Sequence, residues 1–199
     1  MCIRDRRKAL ALKVDHAYRV DNPGIEHTGS AGAACALAAA AKKIGDFDII
    51  MLGREAGDWG EGRTAPLVAE HLGLPFVSFV DTIDEDGGSL TLGRQTDFGR
   101  ETVKAKKPVV LSITNNDANV PRIPKTRDIM MAHRKELTNW SLEDVGLDEA
   151  AVRDQAGGTE IVELFIPEKT TECEFIEGDS IDEKLDKLTE KVTSVLQSI

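Results

Sequence analysis

The stretch Asp46-Phe47-Asp48-Ile49-Ile50-Met51-Leu52-Gly53-Arg54-Glu55-Ala56-Gly57-Asp58-Trp59-Gly60-Glu61-Gly62-Arg63-Thr64-Ala65-Pro66-Leu67-Val68-Ala69-Glu70-His71-Leu72-Gly73-Leu74-Pro75 decides the fold. An apolar run, Ile49 to Leu52, leads into a loop holding Gly53, Gly57, Gly60 and Gly62. Arg63 and Thr64 follow, then a helical stretch opened by Pro66 and ended near Gly73. Strand, glycine-rich turn and helix in that order point bare backbone N–H groups and a positive dipole end at an anion. The spacing is neither G-x-G-x-x-G nor G-x-x-x-x-G-K-S/T, so the dinucleotide and P-loop fingerprints are absent. Two uses stay open: contact with a nucleotide phosphate, or a tight turn in which glycine supplies positive φ. Glu55, Asp58 and Glu61 weaken the pull on a phosphate.

Upstream, Arg6 to Val14 reads as the end of a helix and His16 to Val20 as a short strand. Asp21 to Gly29 is a polar loop. Ser30 to Ile44 is an alanine-dense helix whose small side chains suit close packing on a sheet. Phe47 to Leu52 has the unbroken apolar run of a strand buried on both faces. Downstream, Phe76 to Ile83 is the next strand. Leu90 to Thr96 and Arg100 to Lys106, separated by Asp97-Phe98-Gly99, form a hairpin. Pro108 to Ile113 is a further apolar strand. Strands alternating with helices imply a parallel α/β sheet, with the hairpin at its edge.

After Asn119 the text changes. Val120 to Arg127 is an extended, proline-punctuated loop, and Asp128 to Lys135 a short basic helix capped by Asp128. Trp140 to Leu147 reads as a one-turn element, and Ala150 to Gly178 as an arm without strong periodicity. Ser180 and Glu183 make a capping box. Ile181, Leu185, Leu188, Val192, Val195, Leu196 and Ile199 then form one apolar stripe on a charged helix, facing either the chain's own core or a partner.

The 199 residues are 41% apolar and 30% charged, a globular composition long enough for a real core. No run approaches the ~20 apolar residues of a membrane span, and the first residues lack a signal-peptide core. Thirty-five acidic against 25 basic residues give a net charge of −10, which argues against nucleic-acid binding. Cys2, Cys35 and Cys173 are far apart and odd in number, and this fits a reducing cytoplasm. His16, His27, His71 and His133 are scattered, with no H-E-x-x-H pair, no metal-ligand spacing and no G-x-S-x-G elbow. No catalytic residue is expected, and the chain is not expected to be an enzyme.

Four ordered segments resemble the β subunit of electron transfer flavoproteins. They are Ala9 to Ala17, Gly53 to Pro66 with Leu72 to Pro75 in register, Arg94 to Ser112, and Asn119 to Lys135, continued by Trp140 to Asp148. The resemblance implies an electron carrier acting as a heterodimer, passing electrons from dehydrogenases, such as acyl-CoA dehydrogenases in fatty acid oxidation, to a membrane quinone oxidoreductase or other acceptor. The α subunit of such a carrier holds most of a redox-active FAD, and the β subunit buries AMP or a second FAD in a flavodoxin-like fold of the adenine-nucleotide α-hydrolase-like type.

On this resemblance Gly53, Arg54, Ala56, Asp58 and Gly62 contact the nucleotide. Arg63 and Thr64 are candidates from their place in the loop alone. The segment 119–135 corresponds to the loop that docks dehydrogenases, with Pro121, Arg122, Lys125, Thr126, Arg127, Ile129 and Met130 as its candidates. Its basic residues suit an electrostatic patch on an acidic protein. Residues 6–135 are then expected as the nucleotide-binding α/β domain and 136–199 as an arm and amphipathic helix docking on the core or on the partner subunit.

The chain departs from the family pattern at several points. Glu61 and Arg63 stand where the family has Thr and Gln, and Thr126 stands at the place of a partner-anchoring leucine. Phe98 and Ser112 also break the signature. Family members begin earlier, with a first strand in front of the matched region, which implies a shortened reading frame, an exposed sheet edge and low stability. The alternative from another class is a stand-alone adenine-nucleotide-binding regulatory domain. A transferase using the glycine loop lacks an acid–base pair.

Overall fold

The computed structural model describes residues 3–22, 28–57, 59–118, 120–155, 162–168 and 173–197. The chain divides into two compact units, Met1–Ile161 and Val162–Ile199.

In the first unit the elements run α1 (Ile3–Ala11), β1 (Tyr18–Val20), α2 (Gly29–Ile44), β2 (Ile49–Gly53), α3 (Thr64–Leu72), β3 (Phe76–Asp86), β4 (Ser89–Thr96), β5 (Gly99–Lys106), β6 (Val109–Ile113), α4 (Thr126–Ala132), β7 (Thr138–Trp140), a 3-10 turn (Glu143–Val145) and α5 (Glu149–Gln155). The main sheet has the order β2-β6-β3-β4-β5. β2, β6 and β3 are parallel, while β4 adds antiparallel to β3 and β5 antiparallel to β4. This parallel sheet flanked by helices is the flavodoxin-like α/β architecture expected from the sequence, with the hairpin at its edge as anticipated.

β6 is the middle of the three parallel strands, and its Val109, Val110 and Leu111 are wholly buried. Side chains alternate across a strand, so such a run buries both faces. Val109 and Leu111 join Val77, Val80, Leu90 and Leu92 in the largest core cluster, with Ile49 and Ile113 against it. The double-sided burial expected of 47–52 is not found. β2 pairs with β6 alone among the described residues, and Met51 is 60% exposed. An edge strand carries the same apolar letters as a central one, and only pairing tells them apart.

α2 also differs from expectation. Its small residues Gly32, Ala34, Ala36, Ala38 and Ala40 are buried, but the helix packs chiefly on α3 and α5. Close approach is used between helices rather than onto the sheet. A Cβ added at Gly32 would sit 3.3 Å from Val152 Cγ1 of α5.

β1 does not join the main sheet. It pairs in parallel with β7, Tyr18 opposite Thr138 and Val20 opposite Trp140. The Tyr18 and Trp140 rings stack at 4.5 Å, and Lys43 Nζ lies 4.7 Å from the Trp140 ring centroid. Ala36, Leu142 and Val152 pack beside this ribbon, and Leu10, Ala11 and Ala132 form a third cluster between α1 and α4. Neither β7 nor α5 was expected. Three residues, Thr138-Asn139-Trp140, carry no strand period, and α5 owes its place to one wholly buried side chain, Val152.

The second unit contains α6 (Ile181–Gln197). The Ser180 hydroxyl accepts the Glu183 N–H at 3.2 Å, and Glu183 accepts the Asp179 N–H at 3.0 Å. The capping box therefore forms, with the return bond displaced by one residue. Within this unit Leu185, Leu188, Val192 and Val195 keep the stripe solvent-exposed. Among the described residues no helix is long and apolar enough to cross a membrane.

Candidate functional site

Parallel strands release their chains at one edge, and in open α/β sheets ligands collect there. β2 ends at Gly53, which pairs with Ile113, the last residue of β6. Arg54 and Thr114 therefore leave the sheet side by side. Nearby, β3 slips its register against β6 between Val77 and Val80. Phe79 sits in that slip with φ 54, a left-handed value unusual for a non-glycine residue. Its N–H donates to Ser112 Oγ at 3.0 Å.

A cleft of about 320 Å³ opens at this edge, walled by Arg54, Phe79, Arg94, Asp97, Phe98 and Thr114. The Arg54 guanidinium lies 5.4 Å from the Phe79 ring centroid and pairs with Glu55 at 3.4 Å. Arg94 donates to Ser78 Oγ at 3.0 Å and lies 3.7 Å from Glu101. Phe79 and Thr114 carried no sequence signal as site residues. The left-handed turn at Phe79 is set by a register slip, and a register slip is invisible in the letters.

The glycine loop itself has two kinds of glycine. Gly60 and Gly62 adopt φ 60 and 63, where glycine is the residue without strain. Gly53 and Gly57 are not left-handed, and a Cβ at either would meet nothing within 4 Å. The Ala56 carbonyl accepts the Gly60 N–H at 2.9 Å, closing a turn. Asp58 lies outside the described residues.

The far end of the loop turns to helix α2. Glu61 Oε2 accepts the backbone N–H of Ser30, in the first turn of α2, at 3.1 Å. Arg63 Nη2 donates to the same oxygen at 3.1 Å. Bonds from the Ser30 hydroxyl and N–H, with Arg63 beside them, hold the Glu61 carboxyl below its usual range despite partial burial. Arg63 is also the N-cap of α3, and Thr64 its first residue. The residues singled out along the loop thus fall into two groups. Arg54 goes to the cleft with Phe79 and Arg94, and Arg63 goes to Glu61, which Ser30 also bonds.

Elsewhere, Pro121, Arg122, Lys125, Thr126, Arg127, Ile129 and Met130 are all exposed. The expected helix start at Asp128 is moved: α4 begins at Thr126, with Lys125 as N-cap and Asp128 inside the first turn. Asp128 lies 4.0 Å from Lys13, which ties the segment to the end of α1. Burial pushes the Cys35 thiol above its usual pKa, with Lys42 opposing, so it is no activated nucleophile.

A mostly parallel sheet with its loops meeting at one edge, and a glycine loop folded onto a helix N-terminus, define an open-sheet α/β domain. The family model for the electron transfer flavoprotein domain matches residues 4–145, and the chain belongs to that family. It is 34% identical over 166 residues to an electron transfer flavoprotein subunit beta of Mycobacterium leprae, covering 82% of this chain and 62% of that protein. A Clostridium acetobutylicum protein of the same description is 29% identical over 170 residues, covering 85% of this chain and 65% of that one. A Caffeyl-CoA reductase-Etf complex subunit CarD of Acetobacterium woodii is 27% identical over 186 residues, covering 94% and 71%. The chain spans 62% of the length of the mycobacterial relative.

Proposed function

We propose that the chain is the β-type subunit of an electron carrier rather than an enzyme. The observation that carries this is the family match across most of the first unit, residues 4–145. In this reading the redox chemistry belongs to an FAD held mostly by an α-type partner subunit. The present chain shapes one wall of the complex and presents docking surfaces. The exposed basic segment 120–135 receives electron-donating dehydrogenases, with Arg122, Lys125 and Arg127 steering acidic partners. The stripe on α6, unburied within its own unit, suits the partner subunit.

In this reading the loop 53–64 contacts a second nucleotide, AMP or another FAD, and its open backbone at Gly53 and Gly57 supports close approach. At helix α2 the fit to a phosphate is poor, because Glu61 already sits on the Ser30 N–H. A reducing cytoplasm is the compartment that suits three unpaired-looking cysteines in the sequence.

The test is co-expression with an α-type subunit of this family, followed by co-purification and quantification of released flavin and AMP. A yellow 1:1 complex carrying about one FAD is expected, in line with the usual permanence of such interfaces. Recovery of neither partner nor flavin would overturn the carrier reading.

A further inference from the structure

We propose that Glu61 is a built-in counter-anion, which latches the glycine loop onto helix α2 and takes the position a ligand phosphate would need there. The inference rests on the nucleotide reading of the loop and refines what part of a nucleotide it accepts.

Two groups at the α2 end of this loop are suited to an anion: the Ser30 N–H in the first turn of α2, and the Arg63 guanidinium. Both donate to one oxygen. Ser30 N and Arg63 Nη2 each lie 3.1 Å from Glu61 Oε2. The other carboxylate oxygen lies over Gly29, since a Cβ built there would be 3.5 Å from Glu61 Oε1. The carboxylate thus covers the start of α2 with both oxygens. A negative group at this end is what the sixteen-residue helix dipole favours.

The backbone is arranged for the latch. Gly60 and Gly62, immediately on either side of Glu61, are both left-handed. The chain reverses on each side of the carboxylate and turns it toward α2. A residue with a Cβ at either flank would resist that reversal. Charge then decides the ligand. A phosphate brought to this helix end meets a carboxylate a few ångströms away, and the cation that would offset it is already paired. An uncharged nucleoside meets no such penalty. The loop of this chain therefore accepts adenosine as well as it accepts AMP.

The experiment compares the full chain with Glu61→Thr and Glu61→Gln by equilibrium binding of AMP and adenosine, and follows amide exchange at Ser30 in Glu61→Ala. Wild type is expected to bind AMP no more tightly than adenosine. Glu61→Thr is expected to prefer AMP by at least about tenfold, the worth of a charge-assisted hydrogen bond regained by the phosphate. Glu61→Gln, isosteric and uncharged, falls between them and controls for folding, together with far-UV spectra of every variant. The Ser30 amide is expected to exchange at least about tenfold faster in Glu61→Ala, for the same lost bond. A wild-type preference for AMP equal to that of Glu61→Thr would overturn the proposal, as would unchanged exchange at Ser30. If no form binds either compound, the nucleotide reading itself falls, and Ser30 exchange alone decides the latch.

Discussion

Ser112 Oγ accepts the Phe79 N–H at 3.0 Å, and this bond bridges the point where β3 slips against β6. Without the slip, Phe79 would continue the strand and the cleft beside Arg54 would lose a wall. Ser112 is 5% exposed, so water cannot easily replace it. Ser112→Ala is expected to cost about 0.5–1.5 kcal/mol, the net worth of one hydrogen bond at this part-buried donor. Urea denaturation measures the cost, and a change within experimental error would show that the slip is held by something else.

Asp81 gives a pH signature. Burial of its side chain, 4% exposed, pushes its pKa up. Bonds from Gln95, Arg100 and Thr82 outweigh burial and leave it below the ordinary carboxylate value. Arg100 Nη2 is 2.7 Å from Asp81 Oδ1. A depressed folded-state pKa stabilises the fold above the unfolded carboxylate pKa, and that stabilisation is lost as pH falls through the folded value. Melting temperature is thus expected to fall on acidification below the ordinary Asp range. Asp81→Asn should melt lower than wild type at neutral pH and show a shallower acid dependence. Parallel curves for the two proteins would remove Asp81 from the account.

Gly32 tests the contact between α2 and α5. A Cβ there would run into the Thr28 side chain and press on Val152. Gly32→Ala is expected to destabilise the first unit by about 1–3 kcal/mol through overpacking, despite alanine's better helix propensity. Thermal unfolding decides between the two effects, because a rise in midpoint would mean that propensity wins.

The basic segment makes a prediction about docking. Arg122→Glu with Lys125→Glu leaves the core untouched, since both side chains are exposed. Association with an electron-donating dehydrogenase should slow by at least about tenfold at low salt, and the difference should shrink toward physiological salt. Stopped-flow reduction of the flavin in the assembled complex reads this. Equal rates at all salt concentrations would place docking elsewhere.

How much of this was legible follows from the range of each signal. The Asp97-Phe98-Gly99 turn marks a hairpin by local chemistry alone, and β4 and β5 meet there with Thr96 opposite Gly99. Ser180 and Glu183 announce a helix start within four letters. An exposed sheet edge was expected, but that β2 carries one was not legible, because Ile49 to Leu52 look the same with one neighbour or two. β7 was hidden because its three residues become a strand only beside Tyr18 to Val20. In the loop, Glu61 was visible as a misplaced charge. Its partner Ser30 was not, because nothing in sequence links a helix start to a turn thirty-one positions later.

The β1–β7 ribbon sets an order of events during folding. Its two strands come from opposite ends of the first unit, and Arg7 likewise reaches the Ala132 carbonyl across 125 positions. Contacts of such separation form late, because the loop they close must first be shortened by structure within it. The hairpin β4–β5 and the β3–β4 turn are local and can form early. The ribbon then acts as a clasp, engaged only once the sheet has brought its two ends together, and the first to open when the molecule begins to come apart.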